Sequence, residues 1–420
     1  MLTELPVELL SIIIDYGFRS DILKLRLTSR KLNTNLAETF GRSFFRNRTK
    51  QYTLRDLKCL SQISQVASIR DAVEQLTIVV VEPLYRDVDA LQEPIKARVV
   101  KTRAESLLRQ TRHLRSDSWP PPIIISPNFD AEWLALQESI NEQCATMFRQ
   151  ALANFAQSQK PPTLLLRYNA PVWDGYGASF GSTKALAKFI GIDASYFGWR
   201  EPARILAPVF SMADEVGYPI SDIEFGAGSD YHYWGVSTFE PLIQVSPSAL
   251  ADLRGLTIAL TMTAADLDDD RDQGLRYMLS LPASLAELNV SFCPRDRCLL
   301  TSEYLTTLAH CLSDAPLASL SMINGHMSSD GLGKLLEPHS GTLRTLQLYY
   351  VSFGGNDDPY PMLERLSAFP MLDTLDLVGL AQHGTDVAID METLGNAFSA
   401  RGRMAVQELW RKFMDSYCVE

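Results

Sequence analysis

Few side chains in this 420-residue chain are grouped in a way that suits catalysis or metal binding. Asp266-x-Asp268-Asp269-Asp270-x-Asp272 gathers five carboxylates in seven positions, hard oxygen donors of the kind that hold a divalent cation. As a calcium loop the run fails twice, with Arg271 where the turn needs glycine and Tyr277 where a bidentate glutamate belongs. A metal-dependent enzyme using Asp266–Asp272 is one reading of it; a solvated loop between a strand and a helix is the other. Gly175-x-Gly177-x-x-x-Gly181-Ser-Thr-Lys184 has phosphate-loop composition but neither the Gly-Lys-Ser/Thr order nor a preceding apolar strand. His232 stands between Tyr231 and Tyr233–Trp234, a packing environment more than a proton-transfer one. No Ser/His/Asp or Cys/His set is legible, and Cys293, Cys298 and Cys311 lack zinc-site spacing. The expectation is a non-enzyme without metal or cofactor.

The elements around these residues belong to a large folded chain. Hydrophobic residues make up 46%, enough for more than one core. The net charge of −11 argues against a nucleic-acid partner, because phosphate binding draws on concentrated Lys and Arg. Residues 1–50 run the other way, with nine Lys/Arg against five Asp/Glu. No apolar stretch approaches the ~18–20 residues that span a bilayer, and Glu4 and Glu8 sit where a signal peptide is basic. Six scattered cysteines are not a disulfide framework. The cytoplasm or the nucleus is the expected location, with no membrane partner.

A hexad L-x-x-L-x-L organises the second half. It recurs at Leu253-Leu256-Ile258, Leu285-Leu288-Val290, Leu317-Leu320-Met322, Leu343-Leu346-Leu348 and Leu372-Leu375-Leu377, at intervals of 32, 32, 26 and 29 residues. Weaker copies are Ile220-Ile223-Phe225 and, far upstream, Val73-Leu76-Ile78. Helical patterns lie between them: Leu275, Met278 and Leu279; Leu305, Leu308, Ala309 and Leu312; Leu332, Leu335 and Leu336. Strand and helix in alternation predict parallel strands joined by crossovers. A sheet covered on both faces would have continuously apolar strands, whereas here Thr257, Asn289, Ser321, Gln347 and Asp376 interrupt the hexads. One face is therefore dry and the other wet, which predicts an α/β solenoid with a one-sided parallel sheet. Alternation sets three wet rows: Gly255, Glu287, Ser319, Thr345, Thr374; Thr257, Asn289, Ser321, Gln347, Asp376; and Ala259, Ser291, Ile323, Tyr349, Val378. Glu287, Asn289, Ser321, Gln347, Tyr349 and Asp376 are the candidate residues of a target-binding face, with Tyr349 the candidate aromatic anchor.

Residues 1–48 read as three short helices. Pro6 suits a first helical position, Glu8 complements the dipole, and Leu9, Leu10, Ile13 and Ile14 form a broad stripe that Gly17 stops. Ser20 can cap a second helix through Leu23, Leu25 and Leu27; Thr28 or Ser29 can cap a third through Leu32, Leu36 and Phe40. The surplus apolar surface must be covered, either by the rest of the chain or by a separate subunit.

Leu2-x-x-Leu5-Pro6-x-Glu8-Leu9-Leu10-x-x-Ile13-Ile14, followed by Asp21-Ile22-Leu23 and Ser29-Arg30-Lys31, resembles the F-box family, in particular its many fungal members. Leu32 stands where that family often has an aromatic. The hexads in turn resemble leucine-rich repeats, which F-box proteins commonly carry. They depart from the pattern eight residues after each hexad begins: the family's Asn or Cys appears only as Cys293, against Thr261, Gly325, Val351 and Leu380, which predicts an irregular arc. The resemblance implies that the module docks on the Skp adaptor of cullin-RING ubiquitin ligases. Leu5, Pro6, Leu9, Leu10 and Ile13 would line the contact, with Leu23 and Leu27 in support. The chain would then be the substrate-recognition subunit of a Skp–cullin–F-box ligase, with an unknown target on the solenoid. The alternative is an F-box and leucine-rich-repeat scaffold outside ubiquitination. The expected organisation is an F-box at 1–48, linker helices, first repeat-like strands and a loop excursion at 49–220, the solenoid at 221–400 and a helical cap at 401–420. Within the linker, Asp130 to Gln157 predicts one long amphipathic helix with Trp133, Leu136, Ile140, Met147 and Leu152 on one side.

Overall fold

The computed structural model describes residues 9–10, 12–13, 24, 28–35, 40–41, 44–52, 54–80, 129–168, 202–225, 234–262, 271–293, 300–354, 360–382, 397–402 and 408. The protein is α/β, with a large, mostly parallel sheet and helices. Its contacts divide it into two compact units, residues 1–162 with 170–200, and residues 163–169 with 201–420. The unit that carries the five hexads begins at Thr163.

In the first unit, Leu9, Leu10, Ile12 and Ile13 are helical, as are Lys24 and Thr28; helix α1 (Arg30–Asn35) follows, and Phe40, Gly41, Phe44 and Phe45 are again helical. Leu10, Leu32 and Phe40 are buried together, with Phe44 and Phe45 packed against them. The Phe40 ring stands 4.7 Å from Phe44 and 5.7 Å from Phe45, tilted arrangements that suit aromatic quadrupoles. Strand β1 (Asn47–Gln51) pairs in parallel with β2 (Gln75–Val80), and helices α2 (Leu54–Gln65) and α3 (Ala67–Arg70) make the crossover. The upstream hexad Val73-Leu76-Ile78 supplies three fully buried side chains at and just before β2.

Helix α4 (Phe129–Ala156) lies within a residue of the range predicted for it. Its described inward stripe is Cys144, Phe148, Ala151, Leu152 and Phe155, all buried, while Met147, placed on that stripe by the sequence, is half-buried. The spacing i, i+4, i+7, i+8, i+11 is the helical one; Leu152 lies on it as predicted, and Phe148 takes the place read for its neighbour Met147. Trp133, Leu136 and Ile140 lie outside the residues whose side chains are described. The Tyr52 ring meets Phe148 edge-on at 5.7 Å, and Asn154 donates to the Ser64 hydroxyl at 3.0 Å, satisfying a polar pair between α4 and α2.

In the second unit, the strands are β3 (Thr163–Tyr168), β4 (Ile220–Phe225), β5 (Trp234–Gly235), β6 (Gly255–Thr261), β7 (Glu287–Phe292), β8 (Ser319–Ile323), β10 (Thr345–Tyr349), β12 (Thr374–Val378) and β14 (Ala397–Arg401). The sheet runs β3-β4-β6-β7-β8-β10-β12-β14, so neighbours in the sheet are neighbours in sequence, and only β14 is antiparallel; short β5 pairs with β6. The crossovers are α5 (Pro202–Glu215), a 3-10 turn with α6 (Pro247–Leu250), α7 (Gln273–Ser280), α8 (Ser302–Leu312), α9 (Ser329–Leu336) and α10 (Tyr360–Ser367). Each of the helices α7 to α10 packs on the next. The first leucine of every hexad is buried, and so are the helical residues Leu275, Met278, Leu305, Leu312, Leu332, Leu335 and Leu336 that face the sheet. Each such side chain contributes ~1.5–3 kcal/mol by leaving water.

Two devices repeat. The carbonyl before each strand accepts two N–H groups from the next: Arg254 from Ala286 and Glu287, Ala286 from Ala318 and Ser319, Ala318 from Arg344 and Thr345, Arg344 from Asp373 and Thr374. After β8, β10 and β12 the chain turns through a left-handed residue, Asn324, Tyr350 and Gly379, with φ of 59°, 56° and 61°. It then enters a second, three-stranded parallel sheet, β9 (His326–Met327), β11 (Ser352–Phe353) and β13 (Ala381–Gln382). At the positions where the resemblance calls for a polar residue, Val351 and Leu380 are buried. The backbone groups a polar side chain would satisfy are paired here by the turn and this second ladder: Tyr350 N–H donates to Val378, and Ser352 N–H to Gly325. Strand β14 extends to Arg401; of residues 403–420 only Glu408 is described, and it is helical.

Candidate functional site

The face opposite the leucines is ordered by strand register. Gly255, Glu287, Ser319, Thr345 and Thr374 are aligned across β6, β7, β8, β10 and β12; so are Thr257, Asn289, Ser321, Gln347 and Asp376, and Ala259, Ser291, Ile323, Tyr349 and Val378. These are the three rows predicted from the hexads. The Asn289 amide donates to the Thr257 hydroxyl at 3.2 Å. The Gln347 amide donates to Asp376 Oδ2 at 3.0 Å, and the Tyr349 hydroxyl reaches the same oxygen at 3.4 Å. Burial first, and then the Asp376 charge, hold the Tyr349 hydroxyl above its ordinary pKa. Ser321 and Asp376, read as wet, are buried among their neighbours; Glu287 is exposed, and Asn289, Gln347 and Tyr349 are half-buried.

Strand β4 continues these rows with residues that sequence reasoning missed. Asp222 aligns with Gly255 and Glu224 with Thr257. Asp222 leans over the glycine: a Cβ built on Gly255 would collide with Asp222 Oδ1. Burial pushes the Asp222 carboxyl up, the charges of Glu287 and Glu224 add to that, and Arg254 opposes it. Glu224 is ion-paired in bidentate fashion with Arg167 on β3, Nη2 to Oε1 at 3.0 Å. The signal was the weak hexad copy Ile220-Ile223-Phe225, whose interposed residues are these acids. The most exposed aromatic of the described residues is Tyr350, 63% exposed, directly after the predicted anchor Tyr349.

The N-terminal stripe divides in two. Leu10 is fully buried with Leu32 and Phe40, while Leu9, Ile12 and Ile13 are 48%, 51% and 39% exposed. Leu10, predicted as a partner contact, is therefore closed within this chain, and unpredicted Ile12 joins Leu9 and Ile13 on the open side. Leu5, Pro6, Leu23 and Leu27 lie outside the described residues.

Of the acidic run, Asp272 is described: it is fully buried and bound by Arg276, with Nε to Oδ2 at 2.8 Å and Nη2 to Oδ1 at 2.5 Å. Its carboxylate thus braces the first turn of α7. Asp266, Asp268, Asp269 and Asp270 lie outside the described residues, as do the glycine run at 175–184 and His232. Among the described residues no group of three His, Cys, Asp or Glu could hold a metal ion, and no helix is long and apolar enough to cross a membrane. In comparisons with known proteins, neither a family model nor a curated protein matches this chain.

Proposed function

We propose that this protein is the substrate-recognition subunit of a Skp–cullin–F-box ubiquitin ligase, with an F-box at residues 1–48 and a leucine-rich-repeat-like solenoid holding the target. The observation that carries the reading is the two-sidedness of the first helix. Its inner side is closed by Leu10, Leu32 and Phe40, yet its outer side is again apolar. Three of the seven exposed large hydrophobic side chains among the described residues fall between positions 9 and 13. An apolar helix side whose own core is already complete suits a groove on another subunit. The sequential parallel strands and polar rows supply the second requirement, a surface for a target. The role needs no catalytic residue, because the ligase works on a substrate held at high effective concentration.

The test is co-purification from cells. The full chain is expected to bring down the Skp adaptor and cullin, and the Leu5→Ala/Pro6→Ala variant to lose both. Equal recovery by the two proteins contradicts the docking claim. Adaptor without cullin moves the assignment to a scaffold outside ubiquitination.

A further inference from the structure

Every charged side chain at the face positions of the six strands from β4 to β12 is a carboxylate. Asp222 and Glu224 lie on β4, Glu287 on β7 and Asp376 on β12, and none of these positions carries Lys or Arg. The nearby cations lie off these face positions: Arg254 just before β6, acting on Asp222, Arg344 just before β10, Arg167 on β3, paired to Glu224, and Arg401 on β14. The centre is small and neutral, with Ser291, Ser319 and Ser321. We infer that this face takes an extended, Lys/Arg-rich segment of the target, laid across the strands with cationic side chains on Asp222 and Glu287 and its far end on Tyr350. The inference rests on the reading of the face as the target-binding surface and adds the chemistry of what it binds.

Three observations carry it. First, Asp222 and Glu287 flank Gly255, and the absence of a side chain there lets the Asp222 carboxylate lean over the glycine strand that separates it from Glu287. Like charges held together on a sheet repel, and a cation seated between them relieves the repulsion. Asp222 already responds to this crowding, its carboxyl being pushed up by burial and by both glutamates. Second, Tyr350 keeps a left-handed backbone that tyrosine seldom adopts, with its ring exposed and resting over Gly379. An exposed ring held in a fixed place suits the aliphatic stem or the charged head of a long cationic side chain. Third, Asp222 on β4 and Tyr350, which follows β10 with its ring over Gly379 after β12, are four to five strand steps apart across the sheet and five residues apart along it, about 25–30 Å, which about nine extended residues cover. The acidic complementarity to such a segment is concentrated at the β4–β7 end, on Asp222 and Glu287, because Asp376 is buried among its neighbours and Glu224 is paired to Arg167.

The experiment selects random peptides of about nine residues, displayed on phage, against the purified full chain and compares their composition with the library. Synthetic representatives are then measured by fluorescence anisotropy. Lys and Arg are expected to be enriched, with binding weakened by salt. Affinity is expected to fall about tenfold in Asp222→Asn/Glu287→Gln and about threefold in Glu287→Gln alone, a change at an exposed position that leaves folding intact. Peptides that are lost in Asn289→Arg, and so sit on the face, but are neutral or acidic overturn the inference while leaving the face as a binding surface. The absence of any face-dependent peptide also overturns it; adaptor capture, which does not use this face, then judges the ligase reading separately. A dimer of the wild-type chain that dissociates in the double variant overturns it in favour of a second copy as occupant.

Discussion

His339 lies in the short 3-10 turn after α9, buried, with Nε2 lacking a hydrogen-bond partner. Burial holds its imidazole below the ordinary value of 6.5, partly opposed by the bond its ring shares with Ala315. The folded protein therefore binds the proton less readily than the unfolded chain. Stability from this group is complete above about pH 6.5 and is lost as pH falls below it, until the depressed folded value is reached. His339→Leu is expected to flatten that part of the stability curve, read by urea unfolding between pH 7.5 and 5; an unchanged slope contradicts the account. The histidine was invisible to sequence reasoning because a single His in a turn carries no periodicity. The same holds for Tyr350: nothing in its type announces a positive φ, which glycine or asparagine normally takes. By contrast Asn289, Gln347 and Asp376 were legible, because alternation along a strand assigns each residue to a face.

Among the elements, helices α8 and α9 approach closely at Gly331. A Cβ there would stand 2.8 Å from both Leu305 Cδ1 and Ser302 Cα. Gly331→Ala is expected to destabilise the protein by ~1–3 kcal/mol through overpacking. Gly341→Ala, where a Cβ meets nothing within 4 Å, is expected to be neutral or to stabilise by ~0.4–1 kcal/mol. Thermal unfolding of the two variants checks the pair, and equal effects contradict the packing described. Both helices begin on a side-chain cap: Thr301 accepts from Tyr304 N–H at 3.2 Å and Ser328 from Gly331 N–H at 3.3 Å. The hexad phase foretold the register of β6 to β12, since a slip of one residue would turn every leucine to the wrong face. It could not foretell the second sheet, whose strands are two residues long and are fixed by backbone pairing. Nor did it show that Thr163–Tyr168 begins the second unit: Leu164-Leu165-Leu166 reads as a buried strand with no hexad to place it.

For the whole molecule, two surfaces of opposite chemistry matter, an apolar helix side in the first unit and an acidic, polar sheet face in the second. The proposed docking of the first on a Skp adaptor is read by titration calorimetry of the purified adaptor into the purified chain. The wild-type chain is expected to bind. Leu9→Glu/Ile13→Glu, at exposed positions outside the Leu10–Leu32–Phe40 core, is expected to weaken binding by about a hundredfold, or ~2.7 kcal/mol, with an unchanged melting temperature. Glu287→Gln, on the other unit, is expected to bind as wild type does. A wild-type chain that does not bind the adaptor, or a double variant that binds it equally well, contradicts the claim.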